Sequence, residues 1–142
     1  MILVPQERID HYVQQGWWGG LTLAERFLET AERQPDAPAV ADAPNRLAIS
    51  GQAPERWSWL ALLTQVGRWT AWLQAQGLHK DDVLVMQLPN CVDMHAVYLA
   101  CAVSGIVVSP VPVQYRAHEL LHVLRITQAR MAITTLTVGG FA

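Results

Sequence analysis

Residues 82–90 read DVLVMQLPN, and residues 105–110 read GIVVSP. Each stretch holds a short apolar run without polar alternation, which is typical of strands covered on both faces of a sheet. The segment between them is apolar nearly all round, which predicts a buried helix that Asn90 caps and Gly105 ends. A strand, a helix and a second strand in this order predict a right-handed parallel crossover.

The same pattern continues toward the end of the chain. A helix is predicted from Ala117 to Gln128, with Leu120, Leu121 and Leu124 facing inward, and a last strand from Met131 to Thr135. We therefore predict an α/β fold, an open parallel sheet with flanking helices. Residues 1–20 are expected to form an N-terminal arm, and residues 21–142 the α/β subdomain.

Two further helices are predicted upstream of the sheet. Thr22 and Glu25 form a capping box at the start of the first, and Pro35 ends it. Its apolar face consists of Leu23, Phe27, Leu28 and Ala31. Ser58 is expected to cap the second, whose inward stripe is Trp59, Leu62, Leu63, Val66, Trp69 and Leu73, with Gly77 at its left-handed end. Between these helices, residues 39–41 and 47–49 are predicted to pair as short strands.

Composition limits the possible partners. Of the 142 residues, 51% are hydrophobic and only 15% are charged, and the net charge of −2 provides no basic field for nucleic acid. No Asp, Glu, Lys or Arg occurs between Asp93 and Arg116, but Gly105, Pro110 and Pro112 interrupt that stretch. We therefore expect neither nucleic-acid binding nor a membrane span. The low charge indicates a sheet covered on both faces or a surface kept for a partner.

The cysteines and the first residues bear on the compartment. Cys91 and Cys101 lie ten residues apart in one predicted helix, about 15 Å along its axis, too far for a disulfide. Residues 1–8 lack the basic start and apolar core of a signal peptide. A cytoplasmic chain with reduced thiols is the simple expectation.

The sharpest local motif is His118-Glu119-Leu120-Leu121-His122, an H-E-x-x-H run on a predicted helix. Zinc hydrolases use this spacing for two ligands and a general base. Residues 123–142, however, contain no His, Asp, Glu or Cys that would serve as a third ligand. A zinc hydrolase is therefore a remote alternative to a solvated helix face with coincidental spacing.

Other candidate sites have structural explanations. Cys91 and His95 share a helix face, but a buried thiol and a satisfied histidine fit so apolar a helix better than a nucleophilic pair. Trp17 and Trp18 lie outside any periodic element and are expected to anchor the arm or a partner. No phosphate-loop motif occurs, and no lysine follows the Thr134-Thr135…Gly139-Gly140 tail. We assign no catalytic, cofactor-binding or metal-binding residue.

Several segments together resemble the N-terminal part of the adenylate-forming (AMP-binding) ligases, the acyl- and aryl-CoA synthetases and their relatives. The similarity runs from about His11 to Phe141. Residues 57–60 (WSWL) look like that family's T-Y-x-E-L element, residues 82–90 like D-x-V-x-x-x-L-P-N, and residues 102–111 (AVSGIVVSPV) like x-x-x-G-x-V-x-x-P-x. Residues 115–120 (YRAHEL) are similar to the R-x-x-E-L helix start of members that activate cyclic, aromatic or medium-chain acids, which makes the H-E-x-x-H run a helix start.

The resemblance implies an enzyme that joins a carboxylate to ATP with magnesium, releases pyrophosphate and passes the acyl group to a thiol. The family's phosphate-binding loop with its lysine, its aromatic-Gly-x-Thr-Glu segment and its lid lysine have no match here, and Lys80 cannot replace either lysine. We therefore expect an N-terminal fragment or subdomain of a ligase, as a split or truncated chain, inactive alone and partnered by the rest of a ligase. The alternative is a non-catalytic interaction or dimerisation module that forms a homo-oligomer.

Overall fold

The computed structural model describes residues 4–135, and its secondary structure confirms the predicted α/β class. No helix among these residues is long and apolar enough to cross a membrane. In chain order the elements are α1 (Gln6–Gln14), α2 (Leu23–Arg33), β1 (Pro38–Ala41), α3 (Arg46–Ser50), β2 (Arg56–Ser58), α4 (Trp59–Ala75), β3 (Val83–Gln87), α5 (Val92–Ser104), β4 (Val107–Pro110), α6 (Ala117–Thr127) and β5 (Met131–Thr134).

A three-stranded parallel sheet in the order β4-β3-β5 forms the centre of the fold. Val83 pairs with Val107 on one side of β3, and Leu84 pairs with Met131 on the other. The chain thus moves from β3 to the edge strand β4, and then crosses back over β3 to reach β5. Since parallel crossovers are right-handed, these opposite movements place α5 and α6 on opposite faces of the sheet.

The hydrophobic core lies between one face of the sheet and the helices α2, α4 and α5. Leu84 and Met86 point into it, while the alternate residues Val85 and Gln87 point to the face that α6 covers. The core members are Phe27, Leu62, Val66, Leu73, Leu78, Leu84, Met86, Ala96, Val97, Ala100, Cys101 and Ile106. The buried run predicted for β3 is confirmed. The prediction that residues 106–108 form another buried strand is only half right, because β4 is an edge strand and is partly exposed.

The prediction that residues 47–49 form a strand is wrong, because they belong to the short helix α3. The strand that pairs with β1 is β2, in antiparallel orientation. Three apolar residues fit a strand or a helical turn equally well. The helical turn begins at Arg46, whose buried side chain binds the carboxylates of Asp42 and Asp93.

Most predicted helix ends are confirmed. Thr22 and Glu25 form the capping box of α2, and Ser58 accepts a hydrogen bond from the Ala61 amide at the start of α4. Gly77 and Gly105 have positive φ angles of 79° and 69° just after α4 and α5. A Cβ at residue 105 would lie 2.9 Å from a lysine side chain, so this glycine is also required sterically.

Two other predictions need correction. Asn90 does not cap α5; the N-cap residue is Cys91, and the Val92 amide donates instead to Asp42. On the predicted apolar faces of α2 and α6, the side chains of Leu23, Leu28 and Leu121 are exposed. These helices cover the core along narrower stripes than the sequence suggests. The arm predicted for residues 1–20 contains the helix α1.

Candidate functional site

At the carboxyl ends of β3 and β4, the two connecting loops leave the sheet toward opposite faces. The loop after β3 leads to α5 on one face of the sheet, and the loop after β4 leads to α6 on the other. In open α/β sheets, ligands bind outside the carboxyl ends of the strands at such a switch point. This edge is therefore the candidate functional site.

A cleft of about 650 Å³ lies at this edge. Its volume falls in the range of small-molecule sites, which are mostly apolar with a few polar groups. The polar lining residues are Asn90, Gln114 and Tyr98, and none of the lining residues within 4–135 is acidic or basic. The apolar lining residues are Ala43, Ile49, Met86, Leu88, Pro89, Met94 and residues 110–113. The cleft suits an uncharged hydrocarbon group better than a phosphate chain.

Gln87 ends β3 beneath the loop that forms one wall of this cleft. Its side chain is 7% exposed, and its amide nitrogen donates to the carbonyl oxygens of Pro112 (3.1 Å) and Tyr115 (2.9 Å). Its amide oxygen accepts from the Thr134 hydroxyl at 3.0 Å. The loop after β4 and the end of β5 are thereby bound to the central strand by one side chain.

A buried ionic cluster holds the opposite wall. Arg46 contacts the carboxylates of Asp42 and Asp93. Asp42 also accepts hydrogen bonds from the backbone amides of Val92 (2.9 Å) and Glu55 (2.8 Å). Burial by itself would raise the pKa of Asp42, but the hydrogen bonds from Glu55, Arg46 and Val92 outweigh it and the pKa is lowered. The cluster fastens the segment around α3 to the beginning of α5.

The residues of the two walls differ in how far they can be recognised from the sequence. Gln87 had a signal, because a glutamine directly after four apolar strand residues must find partners if the strand is buried. The cluster around Arg46 had only a partial local signal, since Asp42 lies four positions before Arg46 but Asp93 lies 47 positions after it. Lys80 precedes β3 and packs on Gly105, at the amino ends of the strands and away from the cleft. Gly139 and Gly140 lie outside the described residues.

The H-E-x-x-H run begins α6, as the family resemblance implies. Glu119 accepts a hydrogen bond from the backbone amide of Arg116 at 2.9 Å, which lowers the pKa of this carboxyl. His118 and His122 are exposed on the helix. Among residues 4–135, no group of three His, Cys, Asp or Glu side chains is placed to hold a metal ion. Glu119 is thus engaged as a helix cap, and the zinc-hydrolase alternative gains no support from this geometry.

The pair Cys91 and His95 does not form a nucleophile. His95 Nδ1 lies 3.0 Å from the backbone carbonyl oxygen of Cys91, to which it donates. Burial raises the pKa of the Cys91 thiol, and it raises that of Cys101 to about 11. Both cysteines are free and buried. Neutral thiols and a histidine bonded to its own helix are structural features.

Comparisons with known proteins agree with this geometry. Residues 27–140 match the family described as AMP-binding enzyme. A medium-chain fatty-acid–CoA ligase of Escherichia coli is 33% identical over 89% of this chain and 21% of its own length. A salicyl-AMP ligase of Mycobacterium tuberculosis is 31% identical over 96% of this chain and 23% of its own. The chain thus spans about a fifth of the length of these relatives.

Solved structures show the same fold. The N-terminal subdomain of NpsA from Klebsiella oxytoca superposes with a TM-score of 0.66 at 23% identity, over 80% of this chain and 27% of that one. The N-terminal domain of FACL13 from Mycobacterium tuberculosis gives 0.69 at 18% identity, over 80% and 26%. The match over residues 27–140, the ligase relatives and this shared fold lead to one conclusion: the chain belongs to the AMP-binding enzyme family and has the fold of the N-terminal subdomain of adenylate-forming ligases.

Proposed function

We propose that this chain is the N-terminal part of an ATP-dependent ligase that activates a carboxylic acid as its adenylate. Its task is to form one wall of the acid-binding domain. The apolar cleft at the carboxyl ends of β3 and β4 supports this proposal most directly. The names of the relatives, a medium-chain fatty-acid ligase and a salicyl-AMP ligase, favour an acid with a hydrocarbon chain or an aromatic ring.

We further propose that the 142-residue chain does not activate an acid by itself. ATP with magnesium needs several cations and free amides that converge on its phosphates. In the part of the chain that the structure describes, no lysine or arginine lines the cleft, and the nearby Arg46 is bound to two carboxylates. The remainder of a ligase would have to supply the phosphate-binding groups. A cytoplasmic location goes with this role and with the two free thiols.

Carboxylate-dependent exchange of pyrophosphate into ATP tests the proposal. Octanoate and salicylate are offered in turn with magnesium, a reaction without acid is the blank, and the Escherichia coli relative is the positive control. We expect no exchange above the blank for the isolated chain and a strong signal for the relative with octanoate. Exchange by the isolated chain, or tight magnesium-dependent binding of ATP measured by calorimetry, would contradict the proposal.

A second candidate function is a non-catalytic interaction module. The observation in its favour is the arm, where Tyr12 contacts Trp17 and Trp18 on the surface at ring-centroid distances of 5.5 and 5.1 Å. Trp17 is 66% exposed, which is unusual for so large an apolar side chain. Light scattering across a concentration series separates the two functions. A ligase part with uncovered surface should associate progressively, whereas an adapted module should give one defined species at all concentrations.

A further inference from the structure

Gln87 and Arg46 are the two polar or charged residues among the described ones that are buried as whole residues, at 7% and 4% exposure. The bonds of the Gln87 amide fall into two groups on opposite sides. The nitrogen faces three carbonyl oxygens of the loop after β4, those of Tyr115, Pro112 and Val113 at 2.9, 3.1 and 3.4 Å. The oxygen faces the hydroxyl of Thr134 at the end of β5, at 3.0 Å.

This arrangement engages both the nitrogen and the oxygen of one amide, each with a different segment of the chain. A primary amide offers two N–H donors and one accepting oxygen. The reversed orientation would set the amide oxygen against carbonyl oxygens, so the amide has one satisfactory position. The loop and the strand end are therefore held at a fixed distance from each other and from the central strand.

We propose that Gln87 is a positioning residue that sets one wall of the cleft and couples that wall to the end of β5. Pro112 and Val113 accept from Gln87 and also line the cleft, so their place determines its width. A group that enters the cleft and displaces this loop should therefore also shift the end of β5. In the same way, a movement of β5 should shift the loop and change the width of the cleft. The relevance to acid binding rests on the proposed function, whereas the coupling itself does not.

Three substitutions separate the contribution of the amide nitrogen from that of the amide oxygen. Gln87→Leu removes both donors and leaves buried carbonyl oxygens without a partner. Gln87→Glu keeps the size of the side chain, but an ionised carboxylate only accepts and therefore repels the carbonyl oxygens. Its protonated form regains one O–H donor. Thr134→Val keeps the shape of the strand residue and removes its hydroxyl, which lies 3.0 Å from the Gln87 amide oxygen and 3.3 Å from the carbonyl oxygen of Thr135.

The rate of trypsin cleavage after Arg116 measures how often the loop after β4 opens, because Arg116 is exposed and is the last residue of this loop. Cleavage after Arg116 is measured relative to cleavage after Arg33, an exposed residue at the end of α2, in the same digest. Each net hydrogen bond changes an opening equilibrium by about fivefold. We therefore expect Gln87→Leu to raise the cleavage ratio at least about fivefold at every pH. The Arg33 reference cancels the pH dependence of the protease and exposes any variant that simply unfolds.

The pH dependence of Gln87→Glu distinguishes positioning from general loosening. Its ratio should be high at pH 8 and return toward the wild-type ratio at pH 5, where a buried carboxyl gains a proton. The ratios of the wild type and of Gln87→Leu should stay flat over this range. A ratio for Gln87→Glu that does not change with pH would overturn the proposal.

The coupling to β5 is tested by combining substitutions. Thr134→Val should raise the cleavage ratio about twofold. This is less than the effect of losing one full hydrogen bond, because the Gln87 amide stays in place and still binds the loop. The double variant Gln87→Leu, Thr134→Val should match Gln87→Leu alone, since both changes act through one side chain. Independent, multiplicative effects, or a wild-type ratio for Gln87→Leu, would refute the link. Pyrophosphate exchange by the isolated chain would contradict the proposed function without affecting these ratios.

Discussion

Replacing Asp42 with asparagine is the most informative single perturbation of this fold. The Asp42 side chain is fully buried, and three donors meet on it: the Arg46 guanidinium and the amides of Val92 and Glu55. Asparagine has almost the same shape but offers one accepting oxygen, and its NH2 group must face donors. The substitution therefore tests the charge and the acceptors while it leaves the packing nearly unchanged.

The expected loss of stability follows from two contributions. Removing one partner of a buried ion pair costs about 3–5 kcal/mol, and losing a helix cap costs about 1 kcal/mol. Arg46 keeps its contact with Asp93, whose side chain is 40% exposed, so part of the charge stays compensated. Asparagine can also still accept from one amide. We therefore expect a loss of about 3 kcal/mol in the free energy of unfolding, near the lower end of that range.

Urea unfolding followed by tryptophan fluorescence measures this loss. With a slope of about 2 kcal/mol per molar, the midpoint should fall by about 1.5 M. The matched control is Glu29→Gln, which removes the exposed pair with Arg26 and should cost less than about 0.5 kcal/mol. Equal midpoints for Asp42→Asn and the control would refute the reasoning, because the cluster would then contribute no more than a surface pair.

The pH dependence gives an independent check on Asp42. Its pKa is lowered in the folded chain, so its stabilising effect is complete above the unfolded pKa of about 4 and is lost as the pH falls through the folded value. The difference in unfolding free energy between wild type and Asp42→Asn should be constant from pH 5 to 8 and shrink below about pH 4. A difference that grows on acidification would contradict the assigned hydrogen bonds.

The remaining predictions concern local features. Gly105→Ala should destabilise the chain by about 1–2 kcal/mol, because alanine is strained at its positive φ, whereas Gly67→Ala, in a helix with open space around it, should stabilise it by up to about 1 kcal/mol in the same melts. With a pKa of about 11, Cys101 should react with a disulfide reagent at pH 8 at least about a hundredfold more slowly than in the unfolded chain, and equal rates would contradict its burial. Elemental analysis should find no stoichiometric zinc, and a full equivalent that His118→Ala or His122→Ala removes would restore the hydrolase alternative.

Local signals predicted the elements of this fold better than their partners. The apolar run of β3 and the capping box of α2 each depend on residues that are close together in the sequence, and the structure confirms both predictions. The cap of α5 was not predicted, because its acceptor is Asp42, fifty positions upstream of Val92. Nor did the sequence show that β4 lies at an edge, since only the return of the chain to β5 on the other side of β3 makes β3 the central strand.

In the candidate site too, the sequence shows which polar residues are present but not which distant groups they bind. Those partners determine which side chains remain available to a ligand. The strongest polar groups near the cleft are bound within the chain: Gln87 binds carbonyl oxygens of the loop, and Arg46 binds two carboxylates. Each would have to break these internal bonds before it could bind a ligand. The surface left for a ligand at the carboxyl edge is therefore apolar, with amide groups at Asn90 and Gln114. Such a surface suits the hydrocarbon part of an acid, and among its described residues it has no charge with which to stabilise a phosphate in the transition state. This is the physical ground for our proposal that other parts of a ligase supply the phosphate chemistry.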